Sequence, residues 1–190
     1  PVSIGGTTVS NVTLHNQDYV EILELGIGDT VAVSRRGDVI PAVERVVEKN
    51  EAGNPTWHMP ERCPSCSEAL TKRGAHHFCD NRSCPAQVRG RLYFFAARGQ
   101  MDIDNLGPET IDVLVEQGMA KRLEDLYTCD YGRLLELPGF GEKKVALIRK
   151  GVDESRNRPF RKILPALGIP ELGQKVTELL IEVGYRDIDS

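Results

Sequence analysis

Four of the five cysteines in this chain of 190 residues lie in one short segment, CPSCSEALTKRGAHHFCDNRSC, at residues 63–84. They form two pairs, Cys-x2-Cys and, after twelve residues, Cys-x4-Cys, a spacing typical of zinc sites. The residues between the pairs are mostly polar and offer little surface to bury, so the segment needs another source of stability. A tetrahedral zinc ion would provide it. The spacing therefore predicts a structural zinc site formed by Cys63, Cys66, Cys79 and Cys84.

Two disulfide bonds are the alternative for these four cysteines. Disulfides need an oxidising compartment, and the first residues of the chain do not resemble a signal peptide, which favours zinc. His76 and His77 are possible ligands as well, but four cysteines already fill a tetrahedral shell. Cys129 lies far away in the sequence, and we expect it to be buried as a small hydrophobic side chain.

The composition is that of a globular protein, and its charge is unevenly distributed. Hydrophobic residues make up 40% of the chain, and the longest apolar run, residues 92–97, is too short to cross a bilayer. The net charge of −4 does not indicate a nucleic-acid partner. However, residues 59–100 carry 7 basic and 3 acidic groups, and residues 143–162 carry 8 and 2. Local basic stretches of this kind favour contact with phosphate, although each could also be an ordinary solvated surface.

The first 58 residues predict a small β module. The stretch IGGTTVSNVTLHN alternates apolar and polar residues after a Gly-Gly turn, and DTVAVSRRGDVIPAVERVV predicts two strands around Gly37 and Asp38. Between them, NQDYVEILELG predicts a short helix that Gly26 ends. Two strands, a helix and a hairpin fit part of a five-stranded OB barrel whose first strand is missing. Residues 50–60 predict a linker into the cysteine segment.

The segment PAQVRGRLYFFAARG after Cys84 predicts a helix with Pro85 in its first turn. Arg89 and Arg91 point away from its apolar face, where they either contact phosphate or only keep the helix soluble. The apolar face itself contains Val88, Leu92 and Phe95.

The last ninety residues contain a threefold repeat: NLGPETIDVLVEQG, GFGEKKVALIRKG and ELGQKVTELLIEVG. The copies align on Gly107, Gly141 and Gly173, and each glycine precedes an amphipathic helix. A period near 33 residues also suggests tetratricopeptide or ankyrin arrays, but their signatures are absent. The helices are predicted to end at Gly118, Gly151 and Gly184, and their inward stripe to contain Ile111, Leu114, Val145, Ile148, Thr177 and Leu180.

These repeats predict helix-hairpin-helix elements that bind phosphate. A glycine turn lets the backbone approach a ligand closely, and the first amides of the following helix are unpaired and carry the positive end of its dipole. Such a helix start binds a phosphate oxygen without recognising any base. The alternative is that at least one hairpin only packs helices, and the sequence does not decide which.

The three copies differ in the residue two positions before the aligned glycine. The second copy has Gly139 there, and the first has Asn105, which tolerates positive φ. The third has Glu171, whose carboxylate would repel phosphate. Lys143 and Lys175 occupy equivalent positions after the aligned glycines, and Lys144 adds a further positive charge.

The order of these modules resembles the C-terminal half of bacterial NAD-dependent DNA ligases. The resemblance covers essentially the whole chain through VSNVTLHN, RRGDVIPAV, CPSC with CDNRSCPAQ, MDIDNLG, LPGFGEKK and ALGIPELG. In that family, an N-terminal nucleotidyltransferase domain transfers AMP from NAD+ to a lysine and then to the 5′-phosphate of a nick. The 3′-hydroxyl then displaces AMP, while the remaining modules wrap the duplex.

The resemblance implies a multidomain protein: an OB-fold domain at 1–58, a four-cysteine zinc finger at 59–88 and an all-α helix-hairpin-helix domain at 89–190. A first OB strand, a fourth hairpin and a BRCT domain would lie outside this chain, which begins at Pro1 and is expected to be part of something longer. The implied partners are nicked duplex DNA and the protein's own nucleotidyltransferase domain. NAD+ and Mg²⁺ would serve the complete enzyme at sites outside this chain. A monomer in the bacterial cytoplasm, associated with the nucleoid, is expected.

The resemblance also implies which residues contact DNA and which chemistry is absent. No lysine here begins a KxDG motif, so the chain lacks the adenylated lysine and should not seal nicks alone. The RRGDVIP stretch corresponds to the OB surface that meets the minor groove, although Val39 and Ile40 could instead be core strand residues. The full predicted DNA-binding set is Arg35, Arg36, Val39, Ile40, Arg89, Arg91, Asn105, Gly107, Gly139, Gly141, Lys143, Lys144, Gly173 and Lys175.

Two other functions fit parts of the sequence. A free-standing adaptor of a repair complex would use the same zinc and hairpin modules without a ligase partner. A helix-hairpin-helix nuclease or glycosylase would need a catalytic carboxylate or lysine beside a hairpin. Asp102 and Asp104 lie near the first hairpin, but no convergent site is evident from the sequence.

Overall fold

The computed structural model describes residues 1–34 and 40–189. The chain divides into two compact units, Pro1–Asp80 and Asn81–Ser190. The predicted Arg35, Arg36 and Val39 lie outside the described residues. No helix in the described ranges has the length and apolar character needed to cross a bilayer.

The first unit contains the strands that the alternating pattern predicts. Strands β1 (Val2–Ile4) and β2 (Thr7–Val9) form an antiparallel hairpin, and both Gly5 and Gly6 at its turn have positive φ. Strands β3 (Thr30–Ser34) and β4 (Ala42–Glu48) form a second antiparallel pair. These pairs are compatible with part of an OB fold.

Helix α1 (Gln17–Ile22) begins where the sequence predicts and ends earlier. Asn16 caps it by accepting a hydrogen bond from the amide of Tyr19 (3.0 Å). The prediction that Gly26 ends this helix is wrong, because the chain turns at Glu24 with a φ of 50°. Gly26 has another role: a Cβ there would lie 2.9 Å from the carbonyl oxygen of Pro55, so the two backbone segments need a glycine to approach this closely.

A buried carboxylate ties these elements together. The side chain of Asp29 is 0% exposed and accepts hydrogen bonds from the side-chain amide (2.7 Å) and backbone amide (2.8 Å) of Asn50. Its other oxygen accepts from the amide of Gly26 (2.8 Å) and faces the ammonium of Lys49 (3.3 Å). These donors, the Asn50 side chain above all, hold the pKa of Asp29 well below its usual range. Asp29 therefore joins the loop after α1 to the start of β3 and the end of β4.

The cysteine segment adds a small hairpin to this unit. Strands β5 (Leu70–Arg73) and β6 (His76–Cys79) pair antiparallel around Gly74, which has a φ of 60°. Few side chains in this hairpin are buried, in agreement with the polar character of the sequence.

The second unit is helical. It contains α2 (Pro85–Ala96), α3 (Pro108–Glu116), α4 (Asp125–Thr128), a 3-10 helix (Tyr131–Glu136), α5 (Glu142–Ser155), α6 (Phe160–Ala166) and α7 (Gln174–Glu182). The predicted apolar faces of α2, α3 and α5 are buried, whereas α7 buries Thr177 and leaves Leu180 half-buried. The centre of the core is formed by Leu92, Ile111, Leu114, Leu126, Leu134 and Ile148.

Two of the three predicted helix ends are confirmed. Gly118 and Gly184 follow α3 and α7 with φ of 66° and 111°. The predicted end at Gly151 is wrong, because α5 continues to Ser155. Gly151 is buried, and a Cβ on it would collide with the backbone carbonyl of Asp104. The glycine is therefore required for close packing inside the helix rather than for its termination.

Candidate metal centre and nucleic-acid interface

The four predicted cysteines come together in one cluster. Their sulfur atoms all lie within 4.8 Å of one another, and the Sγ atoms of Cys66 and Cys79 are 3.6 Å apart. Among the described residues, none of the four forms a disulfide bond, which would bring two sulfurs to about 2.05 Å. Among the described residues, the cluster includes neither His76 nor His77. The arrangement has the geometry of a four-cysteine metal site.

Local backbone hydrogen bonds produce this arrangement. The amide of Ser67 donates to the carbonyl of Cys63 (2.8 Å), and the amide of Cys63 donates to the carbonyl of Glu68 (2.8 Å). Backbone amides of Ser65 and then Cys66 lower the pKa of the Cys63 thiol, which favours the thiolate that binds metal. Cys84 is the residue immediately before α2.

Cys129 is separate from the cluster. It is half-buried against the helical core rather than fully buried, and burial raises the pKa of its thiol. The sulfur is therefore unsuited to metal binding, and the expected small hydrophobic role fits its position.

The three aligned glycines occupy equivalent places in the helical unit. Gly107, Gly141 and Gly173 are the N-caps of α3, α5 and α7, and among the described residues no side chain forms a capping bond at these helix starts. All three glycines are exposed and have φ between −80° and −90°, and a Cβ on any of them would meet no atom of the described residues within 4 Å. Neither backbone conformation nor internal packing requires glycine there. The surface before each helix is open to a ligand.

Positive φ occurs two residues before each aligned glycine. Asn105, Gly139 and Glu171 have φ of 63°, 84° and 68°, respectively. The expectation that Asn105 adopts a glycine-like conformation is thus confirmed for its backbone. Glu171 adopts the same conformation, so the third turn has the same backbone arrangement despite its acidic residue.

The predicted lysines lie at the starts of α5 and α7 and are exposed. Lys144 lies over the Phe140 ring, whereas the side chains of Lys143 and Lys175 make no hydrogen bond or ion pair within the described part of the chain. Acidic residues are also present: Glu109 and Glu142 occupy the first turns of α3 and α5. Phosphate binding by these lysines stays a prediction.

The two arginines of α2 differ from each other. Arg89 is only 29% exposed and forms ion pairs with Asp112 (3.0 Å) and Glu116 (3.1 Å) of α3. Arg91 is exposed and donates to the carbonyl of Arg82 (2.5 Å). The contact of either side chain with DNA stays a prediction, and Arg89 would have to exchange internal partners to make one.

In the first unit, Ile40 is 70% exposed and precedes β4, which argues against a core position.

Some basic side chains of the stretch 143–162 are bound to other parts of the chain, and others have no such partner among the described residues. Arg149 and Lys150 pair with Asp130 and Glu154, and Arg156 and Arg158 bind backbone carbonyls of other segments. Charge density identified the stretch from sequence, but it did not indicate that Arg158 binds the carbonyls of Met101 and Asp102. In the described part of the chain, the side chains of Arg161 and Lys162 have no such partner.

An OB-like unit, a four-cysteine cluster and tandem helix-hairpin-helix elements together define a modular protein of the DNA-binding class. Residues 1–55 match the family described as NAD-dependent DNA ligase OB-fold domain. Residues 101–154 match the family described as SAM-like helix-hairpin-helix tandem. These two matches and the four-cysteine cluster support a C-terminal region of an NAD-dependent DNA ligase.

Relatives named DNA ligase match the chain along its whole length. The protein from Leptospira interrogans serogroup Icterohaemorrhagiae serovar copenhageni is 46% identical over 193 residues, and that from Borrelia duttonii is 43% identical over 189 residues. Each alignment covers 100% of this chain and 28% of the relative. The chain therefore spans less than a third of the length of these proteins.

Proposed function

We propose that this chain is the DNA-binding portion of an NAD-dependent DNA ligase and holds nicked duplex DNA by contacts to its backbone. The observation that carries the proposal is the set of three exposed, uncapped helix starts at Gly107, Gly141 and Gly173. Unpaired amides at the positive end of a helix dipole bind phosphate oxygens, which are identical in every sequence. Binding of this kind suits an enzyme that acts on nicks wherever they arise.

The cysteine cluster would hold a structural zinc ion. Zinc–sulfur bonds of about 2.3 Å in a tetrahedron place the sulfurs about 3.8 Å apart, and the 3.6 Å separation of Cys66 and Cys79 fits this value. Four thiolates leave no open coordination position, so the ion would stabilise the segment 63–84 and take no part in catalysis.

The chemistry of the complete enzyme would lie outside this chain. A nucleotidyltransferase domain of the same protein would use NAD+ and Mg²⁺ to activate the 5′-phosphate, and the present chain would place the nick within its reach. Because no KxDG motif is present, the chain alone should bind DNA without joining it. We further propose that the protein acts as a monomer in the bacterial cytoplasm.

Binding of the zinc-loaded chain to fluorescent nicked and intact duplexes of two unrelated sequences tests this proposal. We expect similar affinity for both sequences, a steep loss of affinity with salt, and no change in the length of either strand. Absence of binding at low salt would contradict the proposed function. Strand incision would instead favour a nuclease or glycosylase.

A further inference from the structure

We propose that Arg158 is a positioning residue for DNA binding, which acts by holding the turn of the first hairpin in the shape that presents the start of α3. Arg158 follows α5 and therefore belongs to the segment after the second hairpin. Its side chain, however, is directed at residues 101–102 of the first hairpin. The inference rests on the proposed function, because it assumes that the start of α3 binds phosphate.

The guanidinium of Arg158 connects two consecutive carbonyls. Its Nε donates to the carbonyl of Met101 (2.9 Å), and one terminal nitrogen donates to the carbonyl of Asp102 (2.7 Å). The same nitrogen lies 3.6 Å from the Asp102 carboxylate. A planar guanidinium can donate to both carbonyls at once and so fixes their orientation. A lysine ammonium has no equivalent geometry.

The turn that Arg158 holds has an unusual backbone. Asp102 and Asn105 both adopt left-handed φ, 51° and 63°, a conformation that is uncommon outside glycine. Such a backbone persists when surrounding contacts fix it. The turn leads directly to Gly107, the N-cap of α3, so its conformation sets the direction of the first amides of the helix, which begin at Glu109 because Pro108 has no N–H.

A second contact from the same region supports the turn. The backbone of Asp104 packs directly against Gly151 of α5, where any Cβ would collide with the Asp104 carbonyl. Gly151 thus contacts the turn of the first hairpin at Asp104, and Arg158 contacts it at Met101 and Asp102. Both residues come from the α5 segment.

The charge of Arg158 is engaged by the turn of the first hairpin. Its neighbours Arg161 and Lys162 have side chains without partners in the described part of the chain, whereas Arg158 is only 34% exposed and is bound to the turn. Removal of the Arg158 side chain should therefore change DNA binding through the first hairpin, because the guanidinium is engaged with the turn and not directed at a phosphate.

A double-mutant cycle on the zinc-loaded chain tests whether Arg158 affects DNA binding through the first hairpin. Arg158→Met removes the guanidinium, Gly107→Val blocks the start of α3, and Gly141→Val blocks the start of α5. We expect Arg158→Met to weaken binding of nicked duplex about fivefold, the effect of removing roughly one phosphate interaction. The effect should fall below about twofold in the Gly107→Val background and stay near fivefold in the Gly141→Val background. Arg156→Met, which removes a cation bound to the carbonyl of Tyr127 instead, is the matched control and should not couple to Gly107→Val.

Equal losses of affinity from Arg158→Met in all three backgrounds, or no loss in any, would overturn the inference. Should Arg158→Met fail to fold, Arg158→Lys provides the test, with amide chemical shifts at 103–107 expected to move and those at 139–141 expected to stay. Unmoved shifts at 103–107 would then overturn it. If the unaltered chain does not bind DNA, it is the proposed function that fails; if that chain binds and the cycle is additive, only the role of Arg158 fails.

Discussion

The ammonium group of Lys144 lies 3.9 Å from the centre of the Phe140 ring and 3.4 Å from the carbonyl oxygen of Gly139. This cation–π contact holds a positive charge over the turn that leads into α5. Lys143 next to it is exposed and forms no hydrogen bond or ion pair in the described part of the chain. The second hairpin therefore presents one restrained and one unrestrained positive charge beside the unpaired amides of its helix.

Removal of both charges should weaken DNA binding equally on all sequences. We expect Lys143→Ala combined with Lys144→Ala to reduce affinity about tenfold and to lower the salt slope by about one unit for each phosphate that is no longer neutralised. Titrations of two unrelated duplexes at several salt concentrations measure both effects. Lys150→Ala, on the same helix but paired with Glu154, is the control. A weakening confined to one sequence would mean that this hairpin contacts bases.

Metal analysis should find one zinc ion per chain. Cys66→Ser and Cys79→Ser should each release it, because a structural site needs all four thiolates, whereas Cys129→Ser should retain it. Chelation should remove hydrogen-exchange protection from residues 63–84. It should also weaken DNA binding indirectly, because Cys84 directly precedes α2. Full affinity in a chain shown to be metal-free would contradict the stabilising role of the ion.

Gly151 and Gly90 provide a matched pair for testing the packing of α5. Gly151→Ala should destabilise the helical unit by about 1–3 kcal/mol, because its Cβ meets the Asp104 backbone. Gly90 lies inside α2, and a Cβ on it would meet no atom within 4 Å, so Gly90→Ala should stabilise by about 0.5–1 kcal/mol. Urea unfolding followed by circular dichroism at about 222 nm measures both changes. A neutral or stabilising Gly151→Ala would refute the close contact.

The sequence predicted those features that depend on local pattern. Cysteine spacing identified the four-cysteine cluster, and the glycine repeat identified the starts of α3, α5 and α7, because a helix start is encoded within a few residues. The apolar spacing of α2 likewise identified its buried face.

The errors arose where distant residues decide the outcome. Gly151 has the local appearance of a helix end, yet it serves a contact with Asp104, 47 residues away in the sequence. Arg158 contributes to a basic stretch by composition, although its partners are carbonyls at 101 and 102. Gly26 shows the same effect, because its role depends on Pro55. Such pairings depend on tertiary packing, which periodicity does not encode.

Asp29 should make the first unit sensitive to acid. Its pKa is lowered in the folded state relative to its ordinary value of 3.8, so the carboxylate stabilises the fold above that pH, and the stabilisation is lost as the pH falls below it. Asp29→Asn should lower the melting temperature by several degrees at pH 7, and the difference from the unaltered chain should narrow below about pH 4. Trp57, the single tryptophan, reports unfolding of this unit by fluorescence.

Asn50→Ala is the companion variant, because it removes the strongest donor to Asp29 and leaves the carboxylate in place. At pH 7 its melting temperature should be lower than that of the unaltered chain, but by less than for Asp29→Asn. This difference should also narrow below about pH 4. A difference between Asp29→Asn and the unaltered chain that stays constant from about pH 7 to pH 3 would contradict the role assigned to the carboxylate.

The central claim is that exposed, glycine-led helix starts bind the DNA backbone irrespective of sequence. The most direct test is the dependence of affinity on salt for the zinc-loaded chain and for the variant Gly107→Val, Gly141→Val, Gly173→Val, on two nicked duplexes of unrelated sequence. We predict that the variant, with helix content and zinc retained, binds both duplexes more weakly and has a salt slope smaller by about 0.9 for each phosphate that it no longer binds. Unchanged affinity and slope in that variant would contradict the account.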